Sequence, residues 1–195
     1  LVKEVKLDTR EESKTEKNNK EIKQWKRIEV LKDYRFYIIC ITMLAMPWIA
    51  TGSFVYQSFI SSSKEWGPYV IAQSFMAYSI LSVITLFISG FLIDKFTSRK
   101  LLIYMNIPLF FATVVLYYFS APLSSFVFFG LLGVTNGLAN VLGSSTWAEI
   151  YGVKFIGSIK ALTTALMVFS TAFGTALFGF LIDIGFTIEY IAIIS

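Results

Sequence analysis

The sequence contains no histidine and only one cysteine, Cys40. Without histidine, the usual zinc-ligand spacings, His-based catalytic triads and His proton relays are excluded. A single cysteine cannot form an intrachain disulfide, and we interpret Cys40 as a small apolar residue of a helix. The sequence also lacks a P-loop, an HExxH motif and a nucleophile elbow. We therefore expect no metal, no cofactor and no catalytic residue, and predict that the protein is not an enzyme.

Charged residues are scarce beyond the first 35 positions, which hold 11 of the 17 Lys and Arg residues and 8 of the 13 Asp and Glu residues. Hydrophobic residues make up 55% of the chain and Phe alone occurs 19 times, far more than a soluble chain of 195 residues carries. The composition predicts a membrane protein. The net charge of +4 then reflects membrane orientation rather than nucleic-acid binding.

Five uncharged stretches are each long enough to cross a bilayer as a helix. Barrel strands would alternate apolar and polar residues, which these stretches do not, and helices satisfy their own backbone hydrogen bonds in lipid. We therefore predict an all-α membrane protein, a polytopic helical bundle in which residues 187–195 begin a sixth span. The predicted complete spans are residues 36–60, 69–93, 101–119, 123–148 and 161–182.

The basic residues predict the orientation of this bundle. If the N-terminal segment is cytoplasmic, the inner side receives 16 of the 17 Lys and Arg residues and the outer side receives only Lys64. Cytoplasmic loops are enriched in Lys and Arg, so we predict that residues 1–35 are cytoplasmic.

The N-terminal segment divides into two predicted parts. The chain begins with Leu1 and has no signal-peptide pattern, so we expect a fragment. Residues 1–20 have mixed charge and few large apolar groups, which indicates a disordered cytoplasmic linker. Residues 21–35 form either a short amphipathic helix at the headgroup layer or a charged linker ending in a Trp anchor. The apolar residues at helical spacing are Ile22, Trp25, Ile28 and Leu31.

Small and polar residues share one face of the fourth span, opposite its leucines. Gly133 and Gly137 form a GxxxG pair, so close helix packing alone explains part of this face. The amides of Asn136 and Asn140 favour an additional cavity lining, because amides in hydrocarbon need polar partners or water. Shorter polar stripes mark the first, second and fifth spans, whereas the aromatic third span is predicted to face lipid. Our candidates for a substrate cavity are Ser53, Tyr56, Gln57, Ser74, Tyr78, Asn136, Asn140, Ser144 and Thr171.

The pentapeptide Gly-Phe-Leu-Ile-Asp occurs twice, at residues 90–94 and 179–183, and only the first copy continues into basic residues. Residues 90–102 resemble the cytoplasmic loop signature of the major facilitator superfamily. Thr97 and Ser98 depart from it, where glycine and a basic residue are usual. The positions that match the signature are Gly90, Leu92, Asp94, Lys95, Arg99 and Leu102.

The resemblance extends over about residues 25–186. Residues 25–36 and 137–162 are similar to bacterial members near the monocarboxylate and oxalate/formate porters. The resemblance implies that the chain is the C-terminal six-helix half of a twelve-helix transporter of the bacterial inner membrane, with the last helix truncated and the N-terminal half missing. The two pentapeptides would then end corresponding helices of two inverted three-helix repeats.

The resemblance also implies a gating motif of Gly90, Asp94, Lys95, Arg99 and Lys100, which latches the inner side in one state. Asp94 ends its helix, where the macrodipole disfavours an anion, so it should approach Lys95, Arg99 or a helix N-terminus. Anchoring of the basic residues to headgroups is the alternative role, and the two are compatible. Glu149 is predicted to pair with Lys154 or Lys160, with a part in coupling as the alternative.

The expected function is a secondary transporter that moves a small organic solute, such as a carboxylate, by alternating access. Its partners would be the solute, a coupling proton, lipids and the missing half. Because the five predicted spans carry no charge, either the ionic groups for the solute lie in the missing half or the solute is neutral. The alternative function is a non-transporting receptor or scaffold on the same fold; a membrane enzyme is a third.

Overall fold

The computed structural model describes residues 24–194, in which the regular secondary structure is helical. The predicted segment 1–20 lies outside the described residues. Five spans are long and apolar enough to cross a membrane, in agreement with the five predicted from the sequence. The helices are α1 (Arg27–Lys32), α2 (Tyr34–Val55), α3 (Gln57–Ser63), α4 (Pro68–Lys95), α5 (Ser98–Tyr104), α6 (Ile107–Tyr118), α7 (Pro122–Tyr151), α8 (Ile156–Asp183) and α9 (Ile188–Ile194).

Two predicted spans are interrupted helices. The first consists of α2 and α3 and breaks at Tyr56, while the third consists of α5 and α6 and breaks at residues 105–106. Pro108 explains the second break, because it lies at the start of α6 and has no N–H to donate to the preceding turn. Pro47 lies inside α2 without ending it.

Neighbouring helices bind backbone carbonyls of α2 near Pro47. Asn106 Nδ2 donates to the Thr42 carbonyl at 2.9 Å, and Ser170 Oγ donates to the Leu44 carbonyl at 2.9 Å. The first bond connects the break of the third span to the part of α2 that contains Pro47, and the second connects α8 to the same part. Pro47 leaves the Met43 carbonyl without a helix donor, and these two bonds go to the carbonyls of the residues on either side of Met43.

The bundle is assembled from two reciprocal helix pairs. The most extensive contact is between α4 and α7, and the next is between α2 and α8. Spans one to three form the first predicted repeat, and the second begins with span four. The first span of each repeat thus packs on the second span of the other, as expected for related repeats. The third span packs on α7 and α9 through one face, while Phe110, Phe111 and Tyr118 are exposed.

Glycine allows the α4–α7 pair to approach at backbone distance. A Cβ on Gly133 would overlap the Tyr78 carbonyl, and a Cβ on Gly137 would lie 2.6 Å from the Ser82 carbonyl oxygen. Asn136 Nδ2 donates to Ser82 Oγ at 2.9 Å in the same contact. The GxxxG pair therefore acts in helix packing, as small residues do between membrane helices.

Residues 24–33 dock on the end of α7. The Trp25 N–H donates to the Tyr151 carbonyl at 3.0 Å, and Tyr151 Oη donates to Asp33 Oδ2 at 3.2 Å. In α1 the fully buried side chain is Val30, whereas Ile28 is 69% exposed. Val30 therefore faces the protein, the amphipathic helix at the headgroup layer stays a prediction, and Ile22 lies outside the described residues.

Gly152 directly after α7 has the backbone conformation that this docking requires. Its φ is +82° with ψ 172°, a region essentially restricted to glycine. The Gln24 side chain occupies the space where a Cβ would be, and Gln24 Oε1 accepts the Lys154 N–H at 2.9 Å. We call the end of the bundle formed by residues 24–33, 94–99 and 152–155 the inner end, following the orientation predicted above.

A buried ion pair closes the opposite, outer end. Lys64 Nζ lies 2.8 Å from Glu189 Oε1, and the Lys64 side chain is only 1% exposed. Trp66, which follows closely after Lys64 in the sequence, donates its Nε1–H to the Ser120 carbonyl at 2.9 Å. The lysine that the charge count placed outside is thus an interior connection between α3 and α9.

We expect Glu189→Gln to lower the free energy of unfolding by about 1–3 kcal/mol, because it leaves the buried Lys64 ammonium without its counter-ion. The expected loss is smaller than the roughly 3–5 kcal/mol usual for a broken buried pair, since the Glu189 side chain is 38% exposed. Thermal unfolding in detergent would measure the loss. Glu65→Gln, at an exposed neighbour of Lys64, is the matched control, and equal unfolding temperatures for the two variants would contradict the prediction.

Candidate functional site

A contact set at the inner end joins the loop between α4 and α5 to the end of α7. Arg99 Nε lies 3.4 Å from Glu149 Oε1, and Arg99 Nη2 donates to the Glu149 carbonyl at 3.2 Å. Glu149 Oε2 also accepts the Ser98 N–H at 2.8 Å, at the first residue of α5. The carboxylate therefore serves as both ion-pair partner and helix cap, and a negative charge is favourable at a helix N-terminus.

The predicted pairing of Glu149 with Lys154 or Lys160 was wrong. Arg99 reaches Glu149 because α5 starts beside the end of α7, a contact between distant parts of the sequence. Lys154 Nζ lies instead over the Phe155 ring, 5.6 Å from its centroid. Lys160 Nζ donates to Ser144 Oγ at 2.9 Å.

The other members of the proposed motif are on the surface of this structure. Asp94, Lys95 and Lys100 are exposed, and Lys95 Nζ lies 5.8 Å from the centroid of the Phe96 ring. Within residues 24–194, Asp94 has neither of the ion pairs expected with Lys95 and Arg99. A Cβ on Gly90 would meet no atom within 4 Å, so close packing does not explain this glycine.

Several cavity candidates lie inside helix contacts. Ser53 is fully buried and donates to the Ile49 carbonyl of its own helix at 2.8 Å. Ser74 is also fully buried, with Oγ 2.8 Å from Ser125 Oγ of α7. Hydroxyl groups commonly find such partners in lipid, so these two side chains serve packing and do not line an open space here.

Aromatic contacts and a surface groove account for the candidates near the outer end. The Tyr78 ring packs edge-on against Phe54, with centroids 5.1 Å apart. Tyr56, at the break between α2 and α3, stacks on Phe178 with centroids 6.4 Å apart. Gln57 lines an open groove of about 420 Å³ between α3 and α4.

The inner half of α7 provides the open part of the predicted polar face. Asn140 and Ser144 are exposed, and a Cβ on Gly143 would meet no atom within 4 Å. Asn140 Nδ2 donates to the Asn136 carbonyl at 2.9 Å. Thr171 on α8 is half-buried and donates to the Val168 carbonyl of its own helix at 2.7 Å. The polar face of α7 thus divides into a packed outer half and an open inner half.

Sequence reasoning missed the polar partners that packing supplies. Ser82 and Ser125 complete the contacts of Asn136 and Ser74, and the Ser98 backbone N–H completes that of Glu149. Serine is also common at solvent-facing positions, so the sequence does not show that Ser82 and Ser125 are in helix contacts. Only their partners on the neighbouring helix show this. Within the described residues, no group of three His, Cys, Asp or Glu side chains could hold a metal ion.

Comparison with known proteins places the whole bundle in one family. No curated protein and no solved structure matches the chain significantly. A family model, that of the Major Facilitator Superfamily, matches residues 8–195, nearly the whole chain. The match agrees with the five apolar spans and the all-helical fold. The chain therefore belongs to the major facilitator superfamily and is a multi-pass protein of a family of membrane transporters.

Proposed function

We propose that the protein is a secondary active transporter that moves a small organic solute, such as a carboxylate, by alternating access. The observation that carries the proposal is the contact set of Glu149 with Arg99 and the Ser98 N–H. Alternating access requires contacts at one end of the bundle that form in one state and break in the other. A contact between the resemblance motif and the end of α7 is suited to this role.

The strength of this contact fits a latch. The Arg99 and Glu149 side chains are 54% and 28% exposed, and a partly exposed ion pair contributes about 0–1 kcal/mol. The cap on α5 adds about 1 kcal/mol. A total of about 1–2 kcal/mol shifts a two-state equilibrium roughly 5- to 30-fold and can still be broken thermally.

The finer parts of the proposal rest on sequence similarity. Residues 25–36 and 137–162, which resemble monocarboxylate and oxalate/formate porters, support a carboxylate solute. The distribution of Lys and Arg supports a cytoplasmic location for residues 1–35, and the resemblance supports the bacterial inner membrane. We propose a proton as the coupling ion.

Uptake into proteoliposomes tests this function. The protein, expressed from its native gene, would be reconstituted and supplied with radiolabelled lactate, oxalate or glycerol under an imposed proton or sodium gradient. We expect an inward proton gradient to accelerate uptake of at least one carboxylate over empty liposomes, and glycerol uptake to stay at background. Solute binding without uptake would contradict transport and would indicate a receptor.

A further inference from the structure

The last turn of α7 is held from two sides at the inner end. The final four carbonyl groups of a helix have no partner within the helix, so they need other donors or the turn frays. Arg99 Nη2 donates to the Glu149 carbonyl at 3.2 Å. The Trp25 N–H donates to the Tyr151 carbonyl at 3.0 Å. The turn that carries Glu149 is therefore held by the motif loop and by the N-terminal segment, residues 24–33.

Tyr151 receives contacts from both ends of the N-terminal segment. Its side chain is 1% exposed, and its ring meets the Trp25 ring edge-on with centroids 5.5 Å apart. Its Oη donates to Asp33 Oδ2 at 3.2 Å. Tyr151 is thus bound through its carbonyl, its ring and its hydroxyl group, and it lies only two residues beyond Glu149.

The N-terminal segment also holds the loop that follows α7. Gln24 Oε1 accepts the Lys154 N–H of this loop at 2.9 Å. Val30 of α1 is fully buried and belongs to one apolar cluster with Trp147 and Tyr151 of α7. A single docked segment therefore connects the start of α2 with the end of α7 and with the loop beyond it.

The position of Glu149 depends on an intact last turn. Its carboxylate binds Arg99 and the Ser98 N–H, and its carbonyl accepts a further bond from Arg99. Fraying of the turn changes the positions of the carboxylate and of the carbonyl together. Opening of a helix end costs less free energy than global unfolding, so docking of the N-terminal segment can control it while the bundle stays folded.

We infer that residues 24–33 position Glu149 for its contact with Arg99 and thereby control the latch. While the segment is docked, the last turn of α7 is intact and the contact forms; when the segment is released, the turn frays and the contact opens. The inference rests on the proposed function, since it names a regulator of the same contact. Trp25 and Asp33 are positioning residues, because they act on Glu149 through Tyr151.

Hydrogen exchange of the purified protein, expressed from its native gene and measured by mass spectrometry in detergent, tests the inference without transport. Trp25→Ala removes the ring contact with Tyr151. We expect residues 24–33 to exchange about 2- to 10-fold faster, the effect of losing one aromatic pair. Residues 97–100 should also exchange faster, since the Ser98 N–H loses its carboxylate acceptor when the last turn of α7 frays.

Two further variants and one distant segment serve as controls. Ile28→Ala changes a side chain of the same segment that is 69% exposed, and it should leave the exchange unchanged. Tyr151→Phe removes only the bond to Asp33 and keeps the ring, so it should accelerate the same two segments to a smaller extent. Exchange of residues 60–71 at the outer end should stay constant in every variant, which distinguishes local release from general unfolding.

Uptake of radiolabelled lactate into proteoliposomes gives a readout that a merely structural role would not change. Trp25→Ala alone should lower the initial rate about 2- to 10-fold. Combined with Glu149→Gln, it should lower the rate by no more than about a further twofold, because the two changes open one and the same contact. Ile28→Ala should leave the rate unchanged.

Three results would overturn the inference: unchanged exchange of residues 97–100 in Trp25→Ala, equal effects of Trp25→Ala and Ile28→Ala, or losses of uptake that multiply when Trp25→Ala is combined with Glu149→Gln. Faster exchange of residues 97–100 in Trp25→Ala without any uptake by the wild type would support the positioning of Glu149 and contradict transport. Uptake by the wild type that Trp25→Ala does not lower, together with unchanged exchange, would contradict the inference alone.

Discussion

Replacing Gly133 with alanine is expected to destabilise the α4–α7 pair by about 1–3 kcal/mol, the usual cost of overpacking. The added methyl group would overlap the backbone carbonyl of Tyr78, and backbone cannot rotate away as a side chain can. The two helices must therefore separate, which also weakens the bond between Asn136 and Ser82. Thermal unfolding of the purified protein in detergent would measure the effect.

Gly143→Ala provides the control for this substitution. It adds the same methyl group two turns or more further along the same helix, where a Cβ meets no atom within 4 Å. Alanine has the higher helix propensity, so we expect unchanged or slightly higher stability. Equal unfolding temperatures for Gly133→Ala and Gly143→Ala would show that the close approach does not stabilise the bundle.

Glu149→Gln is expected to lower the initial rate of solute uptake about 5- to 30-fold, the population shift that corresponds to a latch of about 1–2 kcal/mol. The amide keeps the shape of the side chain but loses the charge that attracts Arg99 and favours the start of α5. Uptake of radiolabelled lactate into proteoliposomes would measure the rate.

A shift in conformation should accompany the loss of rate. Cys40 is buried and can be replaced by alanine, after which Asn140→Cys places one thiol on the open half of α7. Labelling with a membrane-impermeant maleimide from each side of the membrane should then change with Glu149→Gln. Unchanged labelling together with unchanged uptake would remove the latch role.

Two further variants separate the ion pair from the charge of the loop. Lys100→Gln neutralises an exposed neighbour of Arg99 and should have little effect. Arg99→Gln combined with Glu149→Gln should be less damaging than the sum of the two single changes, because the two residues act as one contact. Equal losses in Lys100→Gln and Glu149→Gln would indicate a general effect of loop charge.

The existence of the spans could be predicted because it depends on local composition. Runs of about 20 uncharged residues have one stable form in lipid, and each of the five predicted runs corresponds to a helical segment long enough to span, although the third segment is divided into α5 and α6. The ends of the helices were less predictable. Helix α8 extends five residues before the predicted start at residue 161, because a charged residue ends an uncharged run but need not end a helix, and Lys160 is exposed.

The polar face of α7 shows the limit of periodicity. Helical spacing placed Asn136, Asn140 and Ser144 together with the glycines, and they do share one face. Spacing alone could not divide that face, since the division depends on where α4 ends its contact with α7. Asn136 packs against Ser82 on one side of this boundary, while Asn140 and Ser144 remain exposed on the other.

The sequence by itself determined that this chain is a helical membrane protein, how many spans it contains, and which loop resembles the signature of the family to which it belongs. These properties follow from hydropathy and from short motifs, which are local. Only the tertiary structure decided the partners: Arg99 for Glu149, Ser144 for Lys160, and Glu189 for the buried Lys64. Each of these contacts joins different helices, so its distance depends on how the helices pack and not on spacing along the chain.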